Sequence, residues 1–580
     1  MDIKDYGIIG DTNTVALIGK NGSIDWCCLP RFDSPSVFAC LIDKYNGGFF
    51  KLEPIEEYTS HQEYLQNTNI LKTTFSTKTG IIELIDFMPY IPNDNSQNIV
   101  SFSEIHRILV CKKGSVDMHY IFDPKFNYAL GETTINITDR YIEASKDNKI
   151  MMLIGNIHLN NPQFTVKYRQ RKTFVLYYGR VIYRSLDFFE TNKKFQQTKT
   201  YWESWTNKII YTGKYNKELI RSALLLKLLS YSPSGAFVAA PTTSIPESLG
   251  GTRNWDYRYC WMRDSVFTLQ AFYRLGLRSE ARNYIRWARK VIIRDGISVQ
   301  IMYGVDGERN LPETELSYLE GYGNSKPVRI GNGAHTQSQH DIYGEILDIM
   351  NTFVHYSGSI DTDLKQVLMS LIEYVCKKWE DVDSGIWEMR ELNKQFTYSH
   401  LMCWVAINRG LSLAKSLYWV DAPITRWKKV ANKIRTTILK ECWNNKLGYF
   451  TQARNDNSVD ASALLIPMYG FLPFDDPRVI STVRVVQQTL CKNGLVLRYL
   501  HDEFQGEEGG FLLCSFWLIE CLSKMGHKKE AIEHLDKVLS YSNNLKLFSE
   551  EIDIDNGTFL GNYPQAFSHI GLINCILSLQ

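Results

Sequence analysis

Up to residue 184 the apolar positions fall in short β-branched and aromatic runs punctuated by turn residues, which predicts strands. VALIGK and SIDWCC flank Asn21-Gly22, a pair suited to the positive φ angles of a type I′ hairpin turn. Three more hairpins are expected: ILKTTF and IIELIDF around STKTG, HRILVC and SVDMHYIF around residues 112–114, and RYIEAS and KIMMLIG around residues 146–148. Together they predict an antiparallel β-sandwich over residues 1–184. Residues 185–216 switch to a polar, helix-favouring composition and read as a helical linker.

From residue 217 the period becomes helical, with twelve candidate helices starting near 217, 263, 279, 336, 361, 398, 424, 459, 476, 509, 528 and 564. Residues 511–521 are apolar on nearly every side, whereas Ala531, Ile532, Leu535, Val538 and Leu539 form one stripe with charges opposite. Buried helices alternating with half-exposed ones predict six inner and six outer helices, an (α/α)6 barrel over residues 217–580. A helical solenoid would give the same count. Residues 298–332, rich in Gly, Pro and charge, are too long for a connector and predict the rim of a binding site. The β-domain, which carries no chemistry of its own, is expected to pack on the barrel and frame the site entrance.

Length and charge narrow the function. A chain of 580 residues exceeds one hydrophobic core, and 65 Lys plus Arg against 63 Asp plus Glu leave a formal charge of +2. That balance offers no field for nucleic acid or an anionic membrane and favours a neutral ligand. The aromatic share of 13% suits stacking on sugar rings and equally suits a large core. Of the 12 Cys, Cys376, Cys403, Cys514, Cys521 and Cys575 sit in apolar helical stretches, a pattern that reads as reduced and cytoplasmic. The opening MDIKDYGIIGDTN has neither the basic nor the apolar region of a secretory signal, and the longest apolar run, 511–519, is too short for a membrane span.

Three clusters could carry chemistry. Glu388, in DSGIWEMR, follows a chain break at Gly385, and Ile386 and Trp387 give it an apolar wall suited to a general acid; a solvated turn glutamate is the alternative. Glu550 and Glu551, in KLFSEEID, read as a base with a partner or as a solvated face. NWDYRYCWMRD, residues 254–264, packs four aromatics, two Arg and two Asp at a helix start, able to grip vicinal sugar hydroxyls or to serve as a cap over core aromatics. His335 and His340 are five apart with no HExxH, EIDIDNGTFLG misplaces the glycine of a calcium loop, and GYGNS lacks a third glycine. No metal and no nucleotide cofactor are expected.

At these residues the chain resembles glycoside hydrolase family 15, the glucoamylase, glucodextranase and trehalase family, and most of all its bacterial and archaeal trehalase-like members. The resemblance runs from DYGIIGDTNTVALIGKNGSIDWCCLPRFDSPSVFACLID through WDYRYCWMRDS, GYGNSKPVRIGN, SGIWEMR and FTYSHLMCWVA to LFSEEID and GNYPQAFSHIGLIN. It implies an N-terminal β-domain, an (α/α)6 barrel, and single-displacement hydrolysis of an α-glucoside or α-glucan oligosaccharide with release of β-glucose. It also implies Glu388 as general acid and Glu550 as general base. Arg263 and Asp264 then grip the non-reducing glucose, Trp261 and Trp387 line its pocket, Tyr257 stands near the water, and Arg498 is a further glucose-binding arginine. Trehalose is the favoured substrate; glucoamylase or isomaltose-type activity uses the same site, a phosphorylase would not keep Glu550, and a silent carbohydrate-binding protein is the non-enzyme alternative. His335 and His340 depart from the family pattern and are placed at the rim. Glu551 stands where some relatives have Gln and is expected to raise the pKa of Glu550 by like-charge proximity.

Overall fold

The structure, a computed structural model, describes residues 1–92, 99–100, 102–179, 183–390, 392–500 and 508–580. The N-terminal strands form one antiparallel sheet of 14 strands, folded into two layers by a single long strand, Glu104–Asp123. The first part of this strand pairs with Gly80–Phe87 and Arg171–Tyr178, and the last part with Phe49–Pro54 and Gln163–Lys167. The rings of Phe50 and Phe174 meet between the layers at 6.5 Å. Buried Arg107 crosses from one layer to the other, donating to Asp86 Oδ1 at 2.8 Å and to the carbonyls of Phe50 and Gly22 at 2.9 and 2.7 Å.

Two turns differ from their sequence expectation. Residues 112–114 do not close a hairpin: the strand runs through them with a register shift between Cys111 and Lys113. Gly114, at φ 69°, serves close approach, since a Cβ there would lie 1.9 Å from the Thr79 carbonyl oxygen. The Val15–Gly19 and Ser23–Cys28 hairpin exists, but only Gly22 has positive φ. A three-residue loop with one left-handed glycine does what the type I′ pair was expected to do.

After the helix α1 (Thr191–Thr206), twelve helices follow: α2 Asn216–Leu228, α3 Met262–Arg274, α4 Arg278–Asp295, α5 Asp341–Ser357, α6 Thr362–Lys378, α7 Thr397–Ser416, α8 Ile424–Thr437, α9 Leu465–Met468, α10 Pro477–Thr489, α11 Leu512–Lys524, α12 Lys528–Leu539 and α13 Ala566–Ser578. α3, α5, α7, α9, α11 and α13 each touch the next, and α13 returns to α3. A closed ring excludes the solenoid, whose ends stay apart. The other six pack outside it, α2 on α13, α4 on α3, α6 and α8 on α7, α10 on the turn Ala461–Leu464 that leads into α9, and α12 on α11. The contrast read from the pattern is present: α11 is buried almost all round, and α12 buries Ala531, Leu535 and Val538.

The β-domain covers α2, where Asn69 donates to the Leu224 carbonyl at 3.2 Å and Arg221 to the Thr68 carbonyl at 2.7 Å. It also grips the loops that enter the inner helices. Trp26 donates to the Pro241 carbonyl at 2.8 Å, Arg258 to the Ser34 carbonyl at 2.9 Å, and Tyr563 to the Tyr6 carbonyl at 2.6 Å. Among the described residues no helix is long and apolar enough to cross a membrane.

Candidate active site

The loops that precede the inner helices meet at one mouth of the barrel, around a cleft of about 880 Å³ including its open part. Trp261, Arg263 and Asp264 come from the start of α3, Glu388 from the loop before α7, Phe511 from the residue before α11, and Gln565 from the residue before α13. Helix N-termini therefore surround the cleft, and their partial positive charge favours carboxylates there. No described residue before Ala239 lines it; the β-domain reaches the site through the loops it holds at Pro241, Arg258 and Tyr563.

Glu388 and Gly385 both take positive φ, 58° and 64°, and this tight turn aims the glutamate into the cleft. Left-handed backbone at a glutamate carries a strain of about 1–3 kcal/mol, kept where the surroundings fix it. Two donors fix it: Trp261 Nε1 donates to Glu388 Oε1 at 2.7 Å, and an Arg263 amine does so at 3.2 Å. Arg263 also donates to the Ile386 carbonyl at 2.8 Å, so it holds the acid loop as well as facing the cleft. Trp387 lies in the cleft wall, its ring against Tyr499, Phe511 and Trp517 and its Nε1 donating to Asp460 at 2.6 Å. Asp264 is buried, its Oδ1 without a hydrogen bond and 4.0 Å from Arg263 Nε, and burial pushes its carboxyl up to about 7, with Arg263 opposing.

Glu550 is buried in the lining of the same cleft, with Gln565 Nε2 donating to Oε1 at 3.4 Å. A Cβ on Gly561 would lie 2.5 Å from Glu550 Oε2, so only glycine leaves that carboxylate its place. Burial raises the Glu550 pKa well above the usual carboxylate value; the Glu247 carboxylate adds to this, while Arg498, Tyr257 and Gln565 oppose it. Glu551 begins a short strand and, unlike Glu550, does not line the cleft. It accepts from the Gly509 amide at 3.0 Å and lies 3.4 Å from Arg498.

Arg498 is placed in the cleft wall, but carboxylates occupy its guanidinium: Glu247 at 2.7 Å, Glu551 at 3.4 Å, and Glu508. Oxygens of Glu247, Glu508 and Glu551 lie within 4.8 Å of one another, a spacing for one cation, and the guanidinium of Arg498 forms ion pairs with all three. Sequence reading missed Glu247, Arg253, Glu508 and Gln565. Glu247 in PESLGG looks like any loop glutamate, and only the fold brings it to residues 498 and 550. Neither His335 nor His340 lines the cleft. His335 Nδ1 sits 2.9 Å from the Asn332 carbonyl oxygen, and the His340 amide donates to Asp383 at 2.7 Å.

Beneath Glu388 the barrel axis is acidic. Asp341, Glu345 and Asp348 repeat at i, i+4 and i+7 on α5, one face of a helix, and all are buried. Asp341 Oδ2 and Glu345 Oε1 are unpartnered. Burial and then Asp341 raise the Glu345 pKa well above its ordinary value. A carboxyl whose folded pKa exceeds its unfolded value of about 4.3 removes stability as pH climbs from there through the folded pKa. Glu345→Gln therefore leaves the thermal midpoint nearly unchanged at pH 5 and raises it at pH 8. An equal loss at both pH values, measured by calorimetry, would show that Glu345 holds its place as an anion.

A family model described as Glycosyl hydrolases family 15 matches residues 213–577, and one described as Trehalase-like, N-terminal matches residues 1–156. A protein called trehalase from Thermoplasma volcanium is 36% identical, the match covering 100% of this chain and 93% of that one. A trehalase from Mycolicibacterium smegmatis is 37% identical over 99% of this chain and 91% of its own. Among solved structures, a bacterial glucoamylase complexed with acarbose aligns over 100% of this chain and 94% of its own, with a TM-score of 0.75 at 15% identity, a likeness of fold. With a family model spanning the barrel and relatives aligned nearly end to end, the chain belongs to glycoside hydrolase family 15.

Proposed function

We propose that the enzyme hydrolyses α,α-trehalose by a single inverting displacement, with Glu388 as general acid and Glu550 as general base. The observation that carries this reading is one cleft holding both carboxylates. Glu388 is oriented by Trp261 and Arg263, and Glu550 is buried in the same cleft, with Tyr257 and Gln565. Glu388 protonates the glycosidic oxygen, and Glu550 takes a proton from the water that attacks the anomeric carbon from the other face. Such a displacement needs carboxylates roughly 6.5–9.5 Å apart, room for that water. Asp264 accepts from hydroxyls of the non-reducing glucose and Trp261 and Trp387 wall it in, while Arg263 and Arg498 act mainly through the carboxylates they hold.

The names of the similar trehalases support trehalose over an α-1,4 or α-1,6 glucoside. Residues 1–184 serve as the supporting β-domain, 185–216 as the linker and 217–580 as the catalytic barrel. Twelve free cysteines, most of them buried, support a reducing compartment, the cytoplasm.

Proton NMR during early turnover tests the mechanism. Inversion of trehalose yields one β-glucose and one α-glucose, and maltose or isomaltose, if cleaved, yields β-glucose from its non-reducing end. Two α-glucose molecules from trehalose would establish retention. Faster cleavage of maltose, isomaltose or maltotriose would move the substrate to the glucoamylase or isomaltose type.

A further inference from the structure

The cleft has a depth order. Side-chain exposure rises from 5% at Asp264 to 19% at Glu388 and 26% at Arg390. If Asp264 holds the non-reducing glucose at the floor and Glu388 reaches the glycosidic oxygen, the leaving sugar lies outward, beside Arg390. Both Glu388 and Arg390 line this cleft, and the turn that aims Glu388 also sets residue 390.

Arg390 is held in place. Its guanidinium carbon lies 4.3 Å from the ring centroid of Trp255, and Glu313 pairs with it at 3.1 Å. Glu313 is fixed in turn by the Gly333 amide at 2.9 Å and by Arg329 at 3.4 Å; Arg329 lies 4.7 Å from the same indole. A Cβ on Gly333 would come 3.0 Å from an Arg390 amine, so a glycine leaves the guanidinium its room. With two guanidinium groups against it, Trp255 supports arginine and is a poor stacking platform for a run of sugars. A planar guanidinium fixed at the rim suits the paired hydroxyls of one sugar ring.

We propose that Arg390, braced by Trp255 and Glu313, is the residue that recognises the hydroxyls of the leaving sugar and thereby selects a disaccharide. The inference rests on the proposed hydrolysis, because it places the leaving sugar by reference to Glu388. Its test compares the disaccharide that the wild type cleaves fastest with methyl α-D-glucoside, whose leaving group needs similar protonation but carries no hydroxyls.

Arg390→Ala lowers kcat/KM for the disaccharide by on the order of 100-fold, as expected when a recognition group is lost, and that for the methyl glucoside by less than about threefold. Arg390→Lys, which keeps the charge beside Glu313 but loses the planar fork, gives an intermediate ratio and guards against misfolding of the alanine variant. An equal fall on both substrates in either variant would show that Arg390 acts on the acid loop and would overturn the proposal. Glu388→Gln, which lowers both substrates together, is the control for that pattern. Failure of the wild type to cleave any glucoside would defeat the hydrolase reading itself and is seen before any variant is made.

Discussion

Glu388→Gln lowers kcat on trehalose by about three orders of magnitude, within the range of roughly 10²–10⁴ for a positioned general acid. The amide keeps an oxygen to accept from Trp261 and Arg263, so the turn at Gly385 is retained and the thermal midpoint moves little. What is lost is the proton for the leaving oxygen. A nitrophenyl α-glucoside, whose leaving group departs as a stable anion, therefore suffers far less in this variant than trehalose does. Glu550→Gln lowers kcat by a similar factor on both substrates, because activation of water does not depend on the leaving group. Combining the two changes costs much less than the product of the single effects, as for groups that act as a unit. If Glu550→Gln were the variant that spared the nitrophenyl glucoside, the two roles would have to be exchanged.

The parts of this site legible in the sequence are those carried by local signals. Gly385 before an aromatic and a glutamate marks a turn that presents a side chain, and positive φ at residues 385 and 388 is its physical form. Dense aromatics and charge at residues 254–264 mark the start of an inner helix that opens on the cleft. The barrel was legible because burial writes itself into periodicity: an inner helix such as α11 has no polar face to show. The glycine at residue 114 was misread, since close approach of two strands and reversal of one strand ask for the same residue.

Electrostatic partners were not legible, because long-range contacts bring them together. Glu551 was expected to be the like charge acting on Glu550, and the Glu550 carboxylate does help to raise the Glu551 pKa, but it is not the leading like charge on Glu550. The carboxylate that raises Glu550 after burial is Glu247, about three hundred residues earlier in the chain. Without that contact the base has a wrong neighbour, and without Gln565 and Tyr257 it has no opposing donors.

Arg498→Met destabilises the protein by about 3–5 kcal/mol at pH 8, the cost of leaving buried carboxylates without their cation. Arg498 is 8% exposed and pairs with Glu247, Glu508 and Glu551; after its loss Arg253, 3.1 Å from Glu508, is the cation left against that cluster among the described residues. The sign with pH follows from the carboxyls. Burial already raises the pKa values of Glu247 and Glu551, and Arg498 opposes this in both. Removing the arginine raises them further, so the variant loses stability over the interval from about pH 4.3, where unfolded glutamates ionise, up to the new folded values. Urea unfolding at pH 5 and pH 8 reads the difference: a small deficit at pH 5 and the full one at pH 8. A deficit of equal size at both would assign the role of Arg498 to packing, since its guanidinium also lies 5.1 Å from the Phe511 ring centroid and 5.9 Å from that of Trp387. Activity gives a second sign. Arg498 opposes the raised pKa of Glu550, so the variant's acid limb of kcat/KM moves to higher pH, whereas a packing defect lowers the profile without shifting it.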